Sequence, residues 1–224
     1  MEEKKIAEIV RKILTVIAER EAADKAPRGI PVGISNRHIH LSAAHMETLF
    51  GCGSMLTHQK DLKQEGEFAA AETVTLVGPK GVIRGVRVLG PIRNHTQVEI
   101  SRTDGFSLGI VPPVRDSGHI EGSAGIVIVG ACGAVTLKEG VICAARHIHM
   151  HDDDAKYFQV ADGDRVTVET HGDRGALFKN VLVRVNPKFR LEMHVDTDEA
   201  NALGLKNGDK VTLFRHEGVQ GGYR

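Results

Sequence analysis

Arg37-His38-Ile39-His40-Leu41 and Arg146-His147-Ile148-His149-Met150 are two copies of one pattern: an arginine, histidines at i and i+2, and apolar residues between and after them. The spacing sets the geometry. On a helix, residues i and i+2 point about 200° apart and cannot share a target. On a strand they fall on one face, with Cα atoms roughly 6.5 Å apart, and the intervening Ile faces the other side. Two imidazoles so placed can close on one ion at the roughly 2.0–2.1 Å that zinc prefers. A single His-x-His is an ordinary feature of a half-exposed strand. A second copy, with the same preceding Arg and the same central Ile, points to a metal.

A third donor for each pair comes from a longer match. Glu99-Ile-Ser-Arg-Thr-Asp-Gly-Phe-Ser-Leu-Gly-Ile110 aligns without a gap on His194-Val-Asp-Thr-Asp-Glu-Ala-Asn-Ala-Leu-Gly-Leu205. Each stretch starts with a metal-binding residue type, runs through capping residues, and closes a short helix with Leu-Gly. The chain therefore offers two sets of three: His38, His40 and Glu99, then His147, His149 and His194. Three protein donors leave a coordination position open for substrate, as in catalytic zinc sites, and no Cys-x-x-Cys suggests a closed structural site. Imidazole and carboxylate suit zinc, while iron, cobalt, nickel or manganese stay open on donor type alone. A cupin site also combines His-x-His with Glu and His, but there the Glu follows within a few residues, whereas Glu99 lies beyond a hairpin.

The elements that must position these donors repeat as well. After each His-x-His comes a short helix, opened at Ser42 in one copy and at Asp152 or a neighbour in the other, with Gly51 and Gly163 as expected stops. A hairpin follows each: Thr73–Val77 and Val82–Leu89 around Gly78–Gly81, then Arg165–Thr170 and Ala176–Val185 around His171–Gly175. The expected fold is mainly β: two similar small β-barrels capped by short α-helices, with an N-terminal amphipathic helix. The expected division is 1–29 as helix and linker, 30–125 as one barrel half and 126–224 as the other. Residues 1–20 place Ile6, Ile9, Val10, Ile13, Leu14 and Ile17 on one helical face, which either packs on the enzyme or docks it to a larger assembly.

Bulk properties narrow the function. Lys+Arg and Asp+Glu are both 29, so no excess positive charge meets a nucleic-acid backbone. Three cysteines, Cys52, Cys132 and Cys143, form no paired pattern and suit a reducing cytosol. No apolar run approaches the ~20 residues needed to span a membrane, and no signal peptide is read at the N-terminus. Arg93 lies six residues before Glu99 and is a candidate anion clamp, because a guanidinium grips phosphate with two parallel hydrogen bonds. Arg37 and Arg146 fall on the Ile face of their strands and read as structural.

Ile30-Pro-Val-Gly-Ile-Ser-Asn-Arg-His-Ile-His-Leu-Ser42, Leu89-Gly-Pro-Ile-Arg-Asn-His-Thr-Gln-Val-Glu-Ile-Ser-Arg-Thr-Asp104, Arg146–Met150 and Leu191-Glu-Met-His-Val-Asp-Thr-Asp-Glu-Ala-Asn-Ala202 closely resemble the PduL-type phosphate propanoyltransferases, zinc-dependent phosphotransacylases of bacterial microcompartments associated with propanediol degradation. The resemblance runs from about Ile30 to Phe214 and departs at Met150-His151-Asp-Asp-Asp154, where relatives carry a Ser-Pro-like helix start. It implies two Zn2+ per chain, held by His38, His40 and Glu99 and by His147, His149 and His194, with Arg93 holding phosphate. It implies acyl-CoA and phosphate as substrates, acyl phosphate and CoA as products, and a microcompartment shell or lumen enzymes as partners of residues 1–20. A homo-oligomer is compatible with it. For CoA itself the expected contacts are Arg115, Ser117 and Gly118. Two other functions fit the donor pattern: a dinuclear zinc hydrolase, and a non-catalytic scaffold stiffened by metal.

Overall fold

The computed structural model describes residue 12 and residues 28–214. The amphipathic helix expected over 1–20 lies, apart from Lys12, outside the described residues, as does the tail after Phe214. No helix among the described residues is long and apolar enough to cross a membrane.

The chain opens with β1 (Ile30–Ser35) and, two residues later, β2 (His38–His40). Helix α1 (Ala43–Phe50) follows, then β3 (His58–Asp61), the hairpin β4 (Phe68–Val77) and β5 (Val82–Gly90), and β6 (Gln97–Glu99). Next come α2 (Arg102–Leu108), β7 (Val114–Arg115), β8 (Ala124–Val129) and β9 (Ala134–Ala144). The remainder repeats the plan: β10 (His147–Met150), α3 (Asp152–Phe158), β11 (Arg165–Glu169), β12 (Leu177–Val185), β13 (Glu192–Asp196), α4 (Thr197–Leu203) and β14 (Lys210–Phe214).

These strands form two closed six-stranded barrels. One runs β4-β5-β2-β6-β9-β8, closed where β8 pairs with β4, and carries β3 and β7 on its outside. The other runs β1-β13-β10-β12-β11-β14 and closes through β14 onto β1. Each has its own apolar core. Ile39, Leu41, Leu76, Val88 and Val98 pack in the first; Ile30, Val32, Ile148, Val183 and Met193 pack in the second.

The barrels do not follow the division at 125/126. Strand β1 belongs to the later barrel, and β8 and β9 belong to the earlier one. The exchange is symmetric. β1 lies parallel to β13 as β9 lies parallel to β6. Asn36-Arg37 and Ala145-Arg146 carry the chain from barrel to barrel, so each His-x-His strand begins where the two barrels meet.

Arginine and helix cap cooperate at both crossings. Ser101 and Asp196 cap α2 and α4, and Asp104 and Glu199 return a bond to the cap backbone. Arg37 then pairs with Asp104 (3.0 Å), and Arg146 with Glu199 (2.8 Å). This is the structural role expected for both arginines, although Arg37 also borders the central cavity. Gly109 and Gly204, with φ of 76° and 67°, end α2 and α4 in the left-handed conformation that glycine adopts without steric cost. Helix α1 is capped by Ser42 and ends at Gly51 as expected. Helix α3 opens at a neighbour of Asp152, as expected, but stops earlier than expected. His151 caps it, its Nδ1 accepting from the Asp153 N–H (3.1 Å), and it ends at Gln159 rather than Gly163. Gln159 adopts φ 53°, so no glycine is needed there; Gly163 lies in the turn before β11.

Cys143 is buried, and its thiol donates to Asp196 (3.3 Å) across the barrel boundary. Burial, reinforced by the Asp196 charge, pushes the thiol up to about 12. Only thiolate alkylates readily. Native protein treated with iodoacetamide at pH 8 should therefore label at exposed Cys52 and Cys132 and not at Cys143, as mass spectrometry would read. Equal labelling of all three thiols would contradict this packing.

Candidate metal centre

Both His-x-His pairs emerge on strands in the required phase. Ile39 and Ile148 point into the cores and the histidines point the other way, into a shared cavity of about 760 Å³. Register supplies the third donor. His38 lies opposite Glu99 in the antiparallel β2–β6 pair, and His147 lies opposite His194 in β10–β13. The two registers are the same, as the gap-free alignment of Glu99 with His194 predicts. In each group one candidate ligand atom per residue lies within 4.8 Å of the other two.

The hydrogen bonds sort the ring nitrogens. His38 Nδ1 sits 2.8 Å from the Asn36 carbonyl and His147 Nδ1 sits 2.9 Å from that of Ala145. Donation to a carbonyl fixes the tautomer and leaves each Nε2 as a lone-pair donor. Nδ1 of His40 and Nδ1 of His149 are buried without any hydrogen-bond partner. An orphaned buried nitrogen is costly unless something else meets it. A metal ion is the partner this donor chemistry fits.

Electrostatics prepares the same role. Burial, with the charges of His38 and Arg93, pushes His40 down to about 3. Burial and neighbouring His194 push His147 to about 4, and burial with His147 pushes His149 to about 2. These rings are therefore neutral, as ligands must be. Burial alone would raise Glu99, but His38, His40 and the Ser117 hydroxyl outweigh it and hold the carboxylate ionised.

The shifts have a consequence for the metal-free protein. Each histidine has a folded value below its unfolded value of 6.5. Their contribution to stability is present above pH 6.5 and is lost as pH falls toward the folded values. With three such groups shifted the same way, the loss steepens as pH falls below 6.5. Metal-stripped protein should unfold at mildly acid pH, seen as a urea midpoint that falls steeply below pH 6.5. A midpoint independent of pH would contradict the burial of these rings.

Arg93 reaches the same cavity. Its backbone N–H donates to the Leu41 carbonyl (2.9 Å), placing it at the end of the first His-x-His strand. One guanidinium nitrogen bonds Glu67 (3.2 Å), which leaves further donors of the fork for a ligand. Ser117 and Gly118 also border the cavity, while Arg115 is exposed on β7 and does not line it.

A pair of triads with open faces on one cavity beside a guanidinium can polarise a carbonyl and hold an anion against it. The family model for phosphate propanoyltransferase matches residues 31–206. A phosphate propanoyltransferase of Thermotoga maritima is 60% identical over 187 residues, 83% of this chain and 89% of that one. Those of Rhodobacter capsulatus and Salmonella typhimurium are 51% and 50% identical, each over 92% of this chain and over 96% and 95% of their own. This chain belongs to the phosphate propanoyltransferase family. It is an enzyme of that activity.

Arg184, Lys63 and Glu192 line the cavity of this enzyme and escaped the sequence reading, as did Gln97, which bonds Glu99. Arg184 on β12 lies beside His149, with its guanidinium over the Phe189 ring (5.9 Å) and, among the described residues, no side-chain hydrogen bond or ion pair. Lys63 arrives from the β3–β4 loop of the opposite barrel. Gln97 and Glu192 precede Glu99 and His194 by two residues and bond to them. For this last pair a signal was available, since i−2 on a strand shares the ligand's face.

Proposed function

We propose that the enzyme interconverts acyl-CoA (propanoyl-CoA or acetyl-CoA) plus phosphate with acyl phosphate plus CoA at a dinuclear zinc site. His38, His40 and Glu99 hold one ion, and His147, His149 and His194 the other. The observation that carries this reading is that both triads and Arg93 open on one cavity.

When bound, the ions supply Lewis acidity for the thioester carbonyl and a soft acceptor for thiolate. The remaining demands fall on the chain. Phosphate is already an anion at neutral pH, so no strong general base is required. One of its oxygens bonds to the carbonyl carbon, the carbon–sulfur bond breaks, and CoA leaves as thiolate. Arg93 pairs with phosphate through the donors Glu67 leaves free, and Arg184 adds a second cation beside His149. Arg115 at the end of β7, with Ser117 and Gly118 of the loop that follows, meets CoA, exposed Arg115 being the charge for the nucleotide phosphates. Residues 1–20 dock the enzyme to a microcompartment. Their amphipathic pattern supports this, and a reporter carrying them should co-purify with shells; a reporter left in the soluble fraction would rule it out.

The test is CoA release from propanoyl-CoA, followed with a thiol reagent, with and without phosphate. Turnover should require phosphate. Thioester loss at the same rate without it would make the enzyme a hydrolase, and no turnover in either case would favour a scaffold.

A further inference from the structure

Behind the two triads the repeat has exchanged an amide for a carboxylate. Gln97 lies opposite His40 in β2–β6, and Glu192 lies opposite His149 in β10–β13, so the two are equivalent positions. Each is buried and each bonds the third donor of its own triad. Gln97 Nε2 donates to Glu99 Oε1 (2.6 Å), which also accepts from Ser117 Oγ (2.8 Å). In the other half His194 Nε2 lies 2.8 Å from Glu192 Oε2, and Glu192 Oε1 accepts from Lys63 Nζ (3.1 Å). The first triad thus has its carboxylate in direct contact and an amide behind it. The second has an imidazole in contact and the carboxylate behind it.

Gly33 of β1 makes the space for that carboxylate. A Cβ there would stand 2.7 Å from Glu192 Cδ and 2.9 Å from its Oε1. Gly33 does not have positive φ, so the strand itself does not require glycine. The close approach to Glu192 does.

Resting on the ligand assignment above, we infer that Glu192 is a positioning residue that fixes the tautomer and raises the donor strength of His194, and that Lys63, reaching over from the other barrel, moderates it. A ring that gives its N–H to a carboxylate is a better ligand through its other nitrogen. Lys63 draws part of that negative charge away, so the hold on the second ion depends on how the two barrels meet. The first ion has no such dependence, because Gln97 and Ser117 come from its own barrel and its β7–β8 loop.

The experiment follows release of metal from loaded enzyme into a chromophoric chelator, with His147→Ala and His38→Ala assigning the two phases. Glu192→Gln should speed the second phase by about 10- to 100-fold and leave the first unchanged. Gly33→Ala should do the same while every charge is kept, because the end of a flexible side chain is what must shift. Lys63→Met should slow the second phase. A merely structural tie would instead speed both phases in all three variants, and that result, an unchanged second phase in Glu192→Gln and Gly33→Ala, or a faster one in Lys63→Met, would overturn the inference alone. A wild type that holds fewer than two ions would overturn the ligand assignment and this inference with it.

Discussion

Replacing His147 with alanine should remove close to one metal ion per chain and leave the other in place. The ring is held at the start of β10 by its bond to the Ala145 carbonyl, and it sits about 5 Å, ring centre to ring centre, from both His149 (4.7 Å) and His194 (5.0 Å). Without it two donors remain, too few for a zinc site. The strand itself should survive, because Ile148 still fills the core and Arg146 still pairs with Glu199. Turnover should fall by at least about 10³-fold, since a Lewis acid supplies several kcal/mol of stabilisation to charge developing in the transition state. Elemental analysis and circular dichroism on the same sample read both outcomes. Retention of two ions would contradict the partition of ligands into triads.

Arg93→Ala should behave in the opposite way: full metal content, poor catalysis. The guanidinium is placed beside the first triad by backbone contact with Leu41 and holds Glu67 with only one of its nitrogens. Loss of a preorganised charged donor from an active-site cleft costs about 10²- to 10³-fold. That loss should appear chiefly as a higher KM for phosphate or acyl phosphate together with lower turnover. Arg93→Lys should recover little, because an ammonium cannot offer two parallel donors. If Arg93→Ala loses metal instead, the side chain supports the triad and does not meet phosphate.

The triads were legible in the sequence because a strand has a period of two. His-x-His commits both rings to one face, and Leu-Gly closing a capped helix fixes Glu99 against His194 by simple counting. The hairpins were legible for the same reason: Thr73–Val77 falls inside β4, and the expected Arg165–Thr170 runs one residue past β11. Pairing partners were not. Ile30–Ser35 alternates in the same way whichever barrel it joins, and nothing local says that Asn36-Arg37 crosses a boundary instead of continuing one strand. The division at 125/126 failed on this point, since β8 and β9 find their partners in β4 and β6. Lys63 and Arg184 were hidden similarly: each becomes a cavity residue only when the barrels are set against each other. Gln97 and Glu192 were in reach, each two residues before a named ligand on the same face.

The central claim is that two ions sit between the barrels in a common cavity, each gripped by one copy of the duplicated triad. Anomalous scattering from crystals of metal-loaded enzyme, collected at the absorption edge of the resident metal, tests it most directly. The account predicts two peaks per chain, one ringed by His38, His40 and Glu99 and the other by His147, His149 and His194. A single peak shared by all six residues, or peaks distant from either triad, would contradict it.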